Sequence, residues 1–149
     1  MRRSQTDMAL DIDAALEWAA GRRNAVLITI RKDGRPQSSD IAYAVVDGAL
    51  CVSLTATRAK TANMRRDPRV VFHITAPDSW SYVSFDGVAE LGEVTTQPDD
   101  QASDDLVDLY RLVAGQEHPD WDEYRQTMID EQRQVFRLRP TRAVGQING

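Results

Sequence analysis

Between positions 53 and 69 the chain reads Ser53-Leu-Thr-Ala-Thr57-Arg58-Ala59-Lys60-Thr61-Ala-Asn-Met64-Arg65-Arg66-Asp67-Pro68-Arg69, and the chemistry it suggests is the binding of an anion. Thr57 is a fair N-cap, Arg58 to Arg66 contains good helix formers and Asp67-Pro68 ends the run, so one short helix is predicted. A helix N-terminus carries about half a positive charge and four free N–H groups, which favours acids there and disfavours cations by roughly 0.3–1 kcal/mol each. Arg58 and Lys60 occupy that end nonetheless, beside the hydroxyls of Thr57 and Thr61. A ligand phosphate would supply the missing negative charge. Arg65 and Arg66, at the other end, suit the dipole without a ligand and are read as structural. A solvated basic helix between two strands is the plainer alternative for the whole stretch.

Side chains that could themselves break or make bonds are scarce. The two histidines, His73 and His118, have no Cys or carboxylate at metal-ligand spacing, so no metal site is expected. There is no Gly-x-Ser-x-Gly elbow, no Ser-His-Asp order, no Gly-x-Gly-x-x-Gly after a strand and no Gly-x-x-x-x-Gly-Lys. No catalytic residue is assigned. A phosphate seat without catalytic side chains is what a protein needs when a cofactor carries the chemistry and the chain holds, orients and desolvates it. A flavin-type ring asks for a flat slot with polar contacts at its edge. Gln37, Ser39 and Ile41 share one face of a strand at period two and could line such a slot; an exposed polar strand face fits the same pattern.

These residues need a scaffold, and composition allows one. At 149 residues the chain is expected to form a single domain that buries about two-thirds of its unfolded surface. Cys51, in the apolar run Ala49-Leu-Cys-Val-Ser-Leu54, reads as a buried reduced thiol, which fits the cytoplasm. No apolar run approaches a membrane span, and the polar start lacks the apolar core of a signal peptide. Positions 1–69 carry 12 Arg and Lys against 8 Asp and Glu, whereas positions 70–149 carry 6 against 15. The net charge of −5 argues against wrapping nucleic acid, but a small anion needs only the local basic patch.

Taken in order, an amphipathic helix runs from Asp7 to Ala20 with Met8, Ile12, Ala15, Leu16 and Ala19 at helical spacing. Strands follow at Asn24 to Ile30, Pro36 to Val45 and Ala49 to Leu54, joined by Asp33-Gly34 and Asp47-Gly48 turns, and lead into the basic helix. Arg69 to Thr75 and Trp80 to Leu91 are further strands around a Pro77-Asp78-Ser79 turn. A helix opens at Gln97-Pro98-Asp99-Asp100 and stops at Gly115, a second covers Trp121 to Gln132, and strands near Gln134 to Leu138 and Arg142 to Ile147 end the chain. Tyr110, Trp121 and Tyr124 read as core or interface aromatics. Short strands with helices at the edges point to a barrel. The domain therefore divides into an N-terminal helix (1–21), barrel strands with the basic helix (22–96), a helical pair (97–132) and C-terminal strands (133–149).

The stretches Gly34-Arg-Pro-Gln37, Thr57-Arg-Ala-Lys-Thr61, Arg65-Arg-Asp-Pro-Arg69, Trp80-Ser-Tyr82, Gly87-Val-Ala-Glu-Leu91, Asp108-Leu-Tyr-Arg111 and Trp121-Asp-Glu-Tyr-Arg125 resemble the flavin-binding split-barrel superfamily of pyridoxamine 5'-phosphate oxidase. More specifically, it resembles the small actinobacterial branch that uses the deazaflavin coenzyme F420. The resemblance implies a mainly β (α+β) fold, a six-stranded antiparallel split β-barrel with flanking helices. It implies that Arg58, Ala59, Lys60 and Thr61, with Ser53 nearby, hold the cofactor phosphate, and that Gln37, Ser39 and Ile41 flank its ring. It further implies a homodimer with the cofactor at the subunit interface, Trp80 and Tyr82 reaching across from the second copy. The implied activity is hydride transfer from reduced F420 to an unsaturated or conjugated organic substrate. FMN with an oxidase-like activity is the runner-up, and a flavin, deazaflavin or haem carrier without turnover the rival from another class. Haem would call on His73 or His118 as axial ligand. The chain lacks the C-terminal arginine and histidine pair that grips substrate in true pyridoxamine 5'-phosphate oxidases, so that particular activity is not expected.

Overall fold

A computed structural model describes residues 8–77 and 80–148. In chain order the elements are β1 (Met8–Ala9), α1 (Ile12–Ala20), β2 (Asn24–Ile30), β3 (Pro36–Ala42), β4 (Ala44–Val46), β5 (Ala49–Thr55), α2 (Ala59–Arg66), β6 (Arg69–Thr75), β7 (Tyr82–Leu91), α3 (Gln101–Ala114), α4 (Trp121–Asp130) and β8 (Arg133–Gln146). All pairings are antiparallel, and the order across the sheet is β3-β2-β6-β7-β8-β5-β4, with β1 paired to β8 off this path. β3 and β4 end the path on opposite sides, yet Tyr43 alone separates them in the chain. A sheet whose two edges are one residue apart must curl until they meet, which makes a split barrel with helices at its flank.

Tyr43 is the corner of that curl. Its ring is 1% exposed and meets Phe72 edge to face with 5.2 Å between centroids. Its hydroxyl donates to the Ala19 carbonyl at 2.7 Å and its N–H to the Arg23 carbonyl at 2.9 Å, which fixes α1 over the seam. Burial holds the phenol well above the ordinary tyrosine pKa, so it stays a donor.

The strand patterns follow from what each face meets. Alternate residues of β2, β6 and β7, among them Leu27, Phe72, Ile74, Val83 and Phe85, fill the barrel, and their neighbours face outward. β5 is buried on both faces: Leu50, Val52 and Leu54 point into the barrel, whereas Ala49 and Cys51 join Leu106, Val107, Leu109, Tyr124, Met128 and Val135 in a second cluster beneath α3 and α4. Two-sided burial explains why Ala49 to Leu54 reads as an unbroken apolar run. None of the described helices is long and apolar enough to cross a membrane.

The mainly β split barrel expected from the sequence is the observed fold, with several boundaries corrected. The described sheet has eight strands in place of six, because β1 and β4 are pieces of two and three residues too short to show as sequence patterns. The N-terminal helix starts at Ile12, where the Asp11 carboxylate accepts from the Ala14 N–H at 3.0 Å; Met8 and Ala9 are extended, and Asp7 lies outside the described residues. Asp78 and Ser79 of the expected turn also lie outside them. The strand expected over Pro36 to Val45 is two strands on opposite sheet edges, and the one expected from Trp80 begins at Tyr82. The two C-terminal strands are one, β8: the register shifts between Asp86 and Gly87, so that Pro140, which has no N–H to give, stands opposite Gly87 at the bulge. The second helix of the pair ends at Asp130 rather than Gln132.

Gly145 is the tightest point of this scaffold. Its φ is +155°, and a Cβ there would fall on the Tyr82 carbonyl oxygen of the neighbouring strand. Gly145→Ala is expected to destabilise the fold by about 2–4 kcal/mol in urea unfolding, within the range of backbone strain plus overpacking. Gly21→Ala, whose Cβ would have nothing closer than 3.8 Å, is expected to change stability by less than about 1 kcal/mol.

Candidate functional site

The site begins at the mouth of α2. Its N-cap is Arg58, extended at φ −71° and ψ 151°, with no side-chain bond to the helix, and its first turn contains no acid. Thr57, expected as the cap, is instead an exposed turn residue ahead of it, because the Arg58 N–H is drawn back to the Thr55 carbonyl at 3.2 Å. Among the described residues the N–H groups of Ala59 and Lys60 have no partner. The end of α2 that should carry an acid presents two free N–H groups and two cations.

Thr61 is placed differently from its neighbours. It is 0% exposed and its hydroxyl donates to the Thr55 carbonyl at 2.9 Å, so the side chain is spent on the turn that leads into the helix. Arg65 and Arg66 act structurally, donating to the Ala56 carbonyl at 2.6 Å and to the Asn63 carboxamide at 3.2 Å.

Lys60 projects into a cleft of about 390 Å³. One side is the edge of the barrel, from Asp40, Ile41 and Ala42 of β3 to Val52 and Ser53 of β5. The other is Leu109, Tyr110 and Val113 of α3 with Tyr124 and Met128 of α4, and Arg133 at the start of β8 closes one end. Of the residues expected to bind cofactor, the cleft gathers Ile41, Ser53 and Lys60, with Arg58 and Ala59 beside Lys60 at the helix mouth. Gln37 and Ser39 lie farther along the face of β3 that bears Ile41, and the Gln37 carboxamide oxygen accepts from Asn63 Nδ2 at 3.0 Å, which ties β3 to α2. The Asn63 amide also donates to Thr29 Oγ1 at 3.1 Å, so the buried polar side chains under the helix are satisfied.

Arg133 is the functional candidate that sequence reading missed. It sits in the acid-rich part of the chain, and only the β5–β8 register brings it to Ser53, whose carbonyl and hydroxyl accept from its Nη1 at 3.3 and 3.4 Å. Burial, then the charges of Arg58 and Arg133, push the Lys60 ammonium below the usual lysine pKa. No carboxylate pairs with Arg58 or Lys60 among the described residues. A phosphate would meet three cations and two free N–H groups at this end, and a planar body would run between Ile41 and the aromatic wall.

Trp80 and Tyr82 are not brought to the cleft. They line a separate surface hollow with His73, Thr75 and Pro77; Tyr82 stacks on His73 at 5.7 Å, and Trp80 is 90% exposed with a left-handed φ of 59°. His73 Nδ1 is 2.6 Å from Ser84 Oγ. His118 packs among Tyr110, Trp121 and Tyr124, and its Nδ1 accepts from the Asp120 N–H at 3.0 Å. Neither histidine lines the cleft, and no His, Cys, Asp and Glu group among the described residues is arranged to hold a metal.

The family model for pyridoxamine 5'-phosphate oxidase matches residues 12–146. A conserved hypothetical protein of Mycobacterium tuberculosis is 25% identical and superposes with a TM-score of 0.71 over 95% of this chain and 88% of that one. An F420 reductase is 24% identical, with a TM-score of 0.63 over 85% and 94% of the two chains. An FAD-binding protein of Mesorhizobium loti is 19% identical, with a TM-score of 0.64 over 94% and 95%.

Lys60 in the free protein is a charge the fold disfavours. Because its folded pKa lies below its unfolded value, its penalty is fully present below the folded pKa and disappears as pH rises from there toward the unfolded one. Lys60→Met is therefore expected to raise the melting temperature at pH 7 by about 1–3 °C in the absence of ligand. A lower melting temperature in a thermal scan would show that Lys60 is already neutralised.

Proposed function

The chain belongs to the pyridoxamine 5'-phosphate oxidase family, and on that premise we propose that it is an oxidoreductase that holds the deazaflavin coenzyme F420 in the cleft beside α2 and reduces an unsaturated or conjugated organic substrate. The observation that carries the reading is the uncapped, acid-free end of α2, where Arg58 and the N–H groups of Ala59 and Lys60, unpartnered among the described residues, adjoin the Lys60 side chain, which lines a cleft together with Arg133. Such an end costs stability unless an anion completes it.

In this reading Arg58, Ala59 and Lys60 bind the coenzyme phosphate, with Thr61 fixing the turn behind them. Ile41 and Ser53 frame the ring, and Ser39 and Gln37 extend that frame along β3. Tyr110, Val113, Tyr124 and Met128 cover the opposite face and exclude water, which strengthens the polar contacts at the phosphate. When bound, the coenzyme would supply the hydride, and the proton that completes the reduction would come from solvent; the chain's own residues bind, orient and shield. The choice of F420 over FMN rests on the family likeness: of the basic residues that could meet an oligoglutamate tail, Arg22, Arg23, Arg31, Lys32 and Arg35, Arg22 is stacked on Trp18 and Arg31 is paired with Asp33.

The molecule is read as a homodimer in use. Trp80 and Tyr82 lie outside the cleft of their own chain, so they can reach a coenzyme only from a second copy. An exposed tryptophan in a left-handed backbone conformation supports that reading, because among the described residues nothing covers it.

Lys60→Ala is expected to weaken F420 binding by about 1.5–3 kcal/mol, the scale of a charged hydrogen bond, while leaving the fold intact. Arg65→Ala, whose guanidinium is spent on Ala56, is expected to leave binding almost unchanged. Titration of the apoprotein with F420 and FMN, followed by tryptophan fluorescence, checks both. Submicromolar FMN affinity with none for F420 would reverse the choice of coenzyme, and reduced F420 that stays reduced across enones and quinones would leave a carrier.

A further inference from the structure

The turn that carries Arg133 is built onto the mouth of α2. Glu131 caps the C-terminus of α4, Gln132 turns the chain with a left-handed φ of 53°, and the Ala56 N–H donates to the Gln132 carbonyl at 2.9 Å. The guanidinium of Arg133 is thereby locked beside the helix end. Its Nε and Nη2 donate to Glu131 Oε1 at 3.0 and 2.7 Å, and its Nη1 reaches the carbonyl and hydroxyl of Ser53. A guanidinium has five N–H bonds, so the second hydrogen on Nη2 has no partner among the described residues. Arg133 lines the same cleft as Lys60.

We propose that Arg133 is the third cation of the anion site and that Glu131 is its internal counter-ion, so that the pair sets which anion charge the cleft accepts. The proposal rests on the coenzyme site described above and specifies its selectivity. The groups that face the anion are Arg58, Lys60 and Arg133 on the positive side, with Glu131 behind Arg133 and Asp40 on the β3 rim on the negative side. A carboxylate repels a doubly charged phosphomonoester with twice the energy it sets against a singly charged phosphodiester at the same place. Glu131 therefore narrows the advantage that three bare cations would give the monoester. Tyr124 does not alter this balance: its hydroxyl donates to the Leu106 carbonyl at 3.1 Å, and burial keeps the phenol neutral.

The test compares three ligands of the full-length protein by equilibrium titration: FMN, a phosphomonoester; F420, a phosphodiester; and riboflavin, which has the flavin ring without a phosphate. Glu131→Gln is expected to tighten FMN by roughly tenfold and F420 by roughly threefold, the ratio that doubled charge requires, and to leave riboflavin unchanged. Arg133→Gln is expected to weaken FMN and F420 in the same order, and Arg133→Lys to recover most of the loss. A readout without ligand accompanies this, because Lys32 and Lys60 are the chain's lysines and the exposed Lys32 serves as reference. In a lysine NMR titration, Glu131→Gln should move Lys60 to lower pH and Arg133→Gln to higher pH. Equal changes for all three ligands, or an unmoved Lys60, would overturn the role of the pair while leaving the coenzyme site standing. If the wild type bound neither FMN nor F420, the site itself would fall and this selectivity with it.

Discussion

The closure of the sheet through Tyr43 is the constraint on which the rest of the molecule depends. One residue joins strands at opposite edges of the path, and its ring, hydroxyl and N–H are each committed, to Phe72, Ala19 and Arg23. With the edges held together, the β3 face that bears Ile41 comes to stand opposite Ser53 of β5 across a narrow gap. That gap is the cleft. Without the curl, Ile41 and Ser53 would belong to distant edges of an open sheet.

Around the cleft, residues that satisfy their neighbours stand beside residues whose charge the fold disfavours. Asn63, Arg65, Arg66 and Thr61 satisfy backbone and side-chain groups around α2, and none of the buried side-chain polar atoms described lacks a partner. Arg58 and Lys60 do the reverse. They add charge where the helix dipole and Arg133 already disfavour it, and burial lowers the lysine further. Proteins tolerate such local conflicts mainly where a ligand resolves them.

The outer faces of the two barrel halves differ in the same functional sense. α3 and α4 cover β5 and the start of β8 and carry an aromatic cluster of Tyr110, His118, Trp121 and Tyr124, of which the two tyrosines line the cleft. On the other half, His73, Tyr82 and Trp80 gather at an open hollow where β6 ends and β7 begins. Covered strands form one wall of the cleft, and the open ones hold the surface that the homodimer reading assigns to a second copy.

Much of this was legible in the residues themselves, wherever the physics is local. The alternation of Val70, Phe72 and Ile74, the Asp47-Gly48 turn with both residues at positive φ, and the stop at Gly115 follow from side-chain period and backbone permissiveness. The charge anomaly of Arg58 and Lys60 was readable because a dipole acts within a single turn of helix. What sequence could not disclose depends on contacts between distant positions. Thr57 loses the cap because Arg58 is held back by Thr55. No glycine or proline marks the passage through Tyr43 from one sheet edge to the other, so the break between β3 and β4 leaves no local sign. Pro140 sits inside a strand because Gly87 opposes it at a bulge. Arg133 reaches Ser53 through the pairing of two strands that lie far apart in the chain, and Glu131 then masks it. The chain alone determined the barrel and one charged end of the site; the other end was decided by tertiary structure, because electrostatic partners across a cleft are selected by sheet register and not by spacing along the sequence.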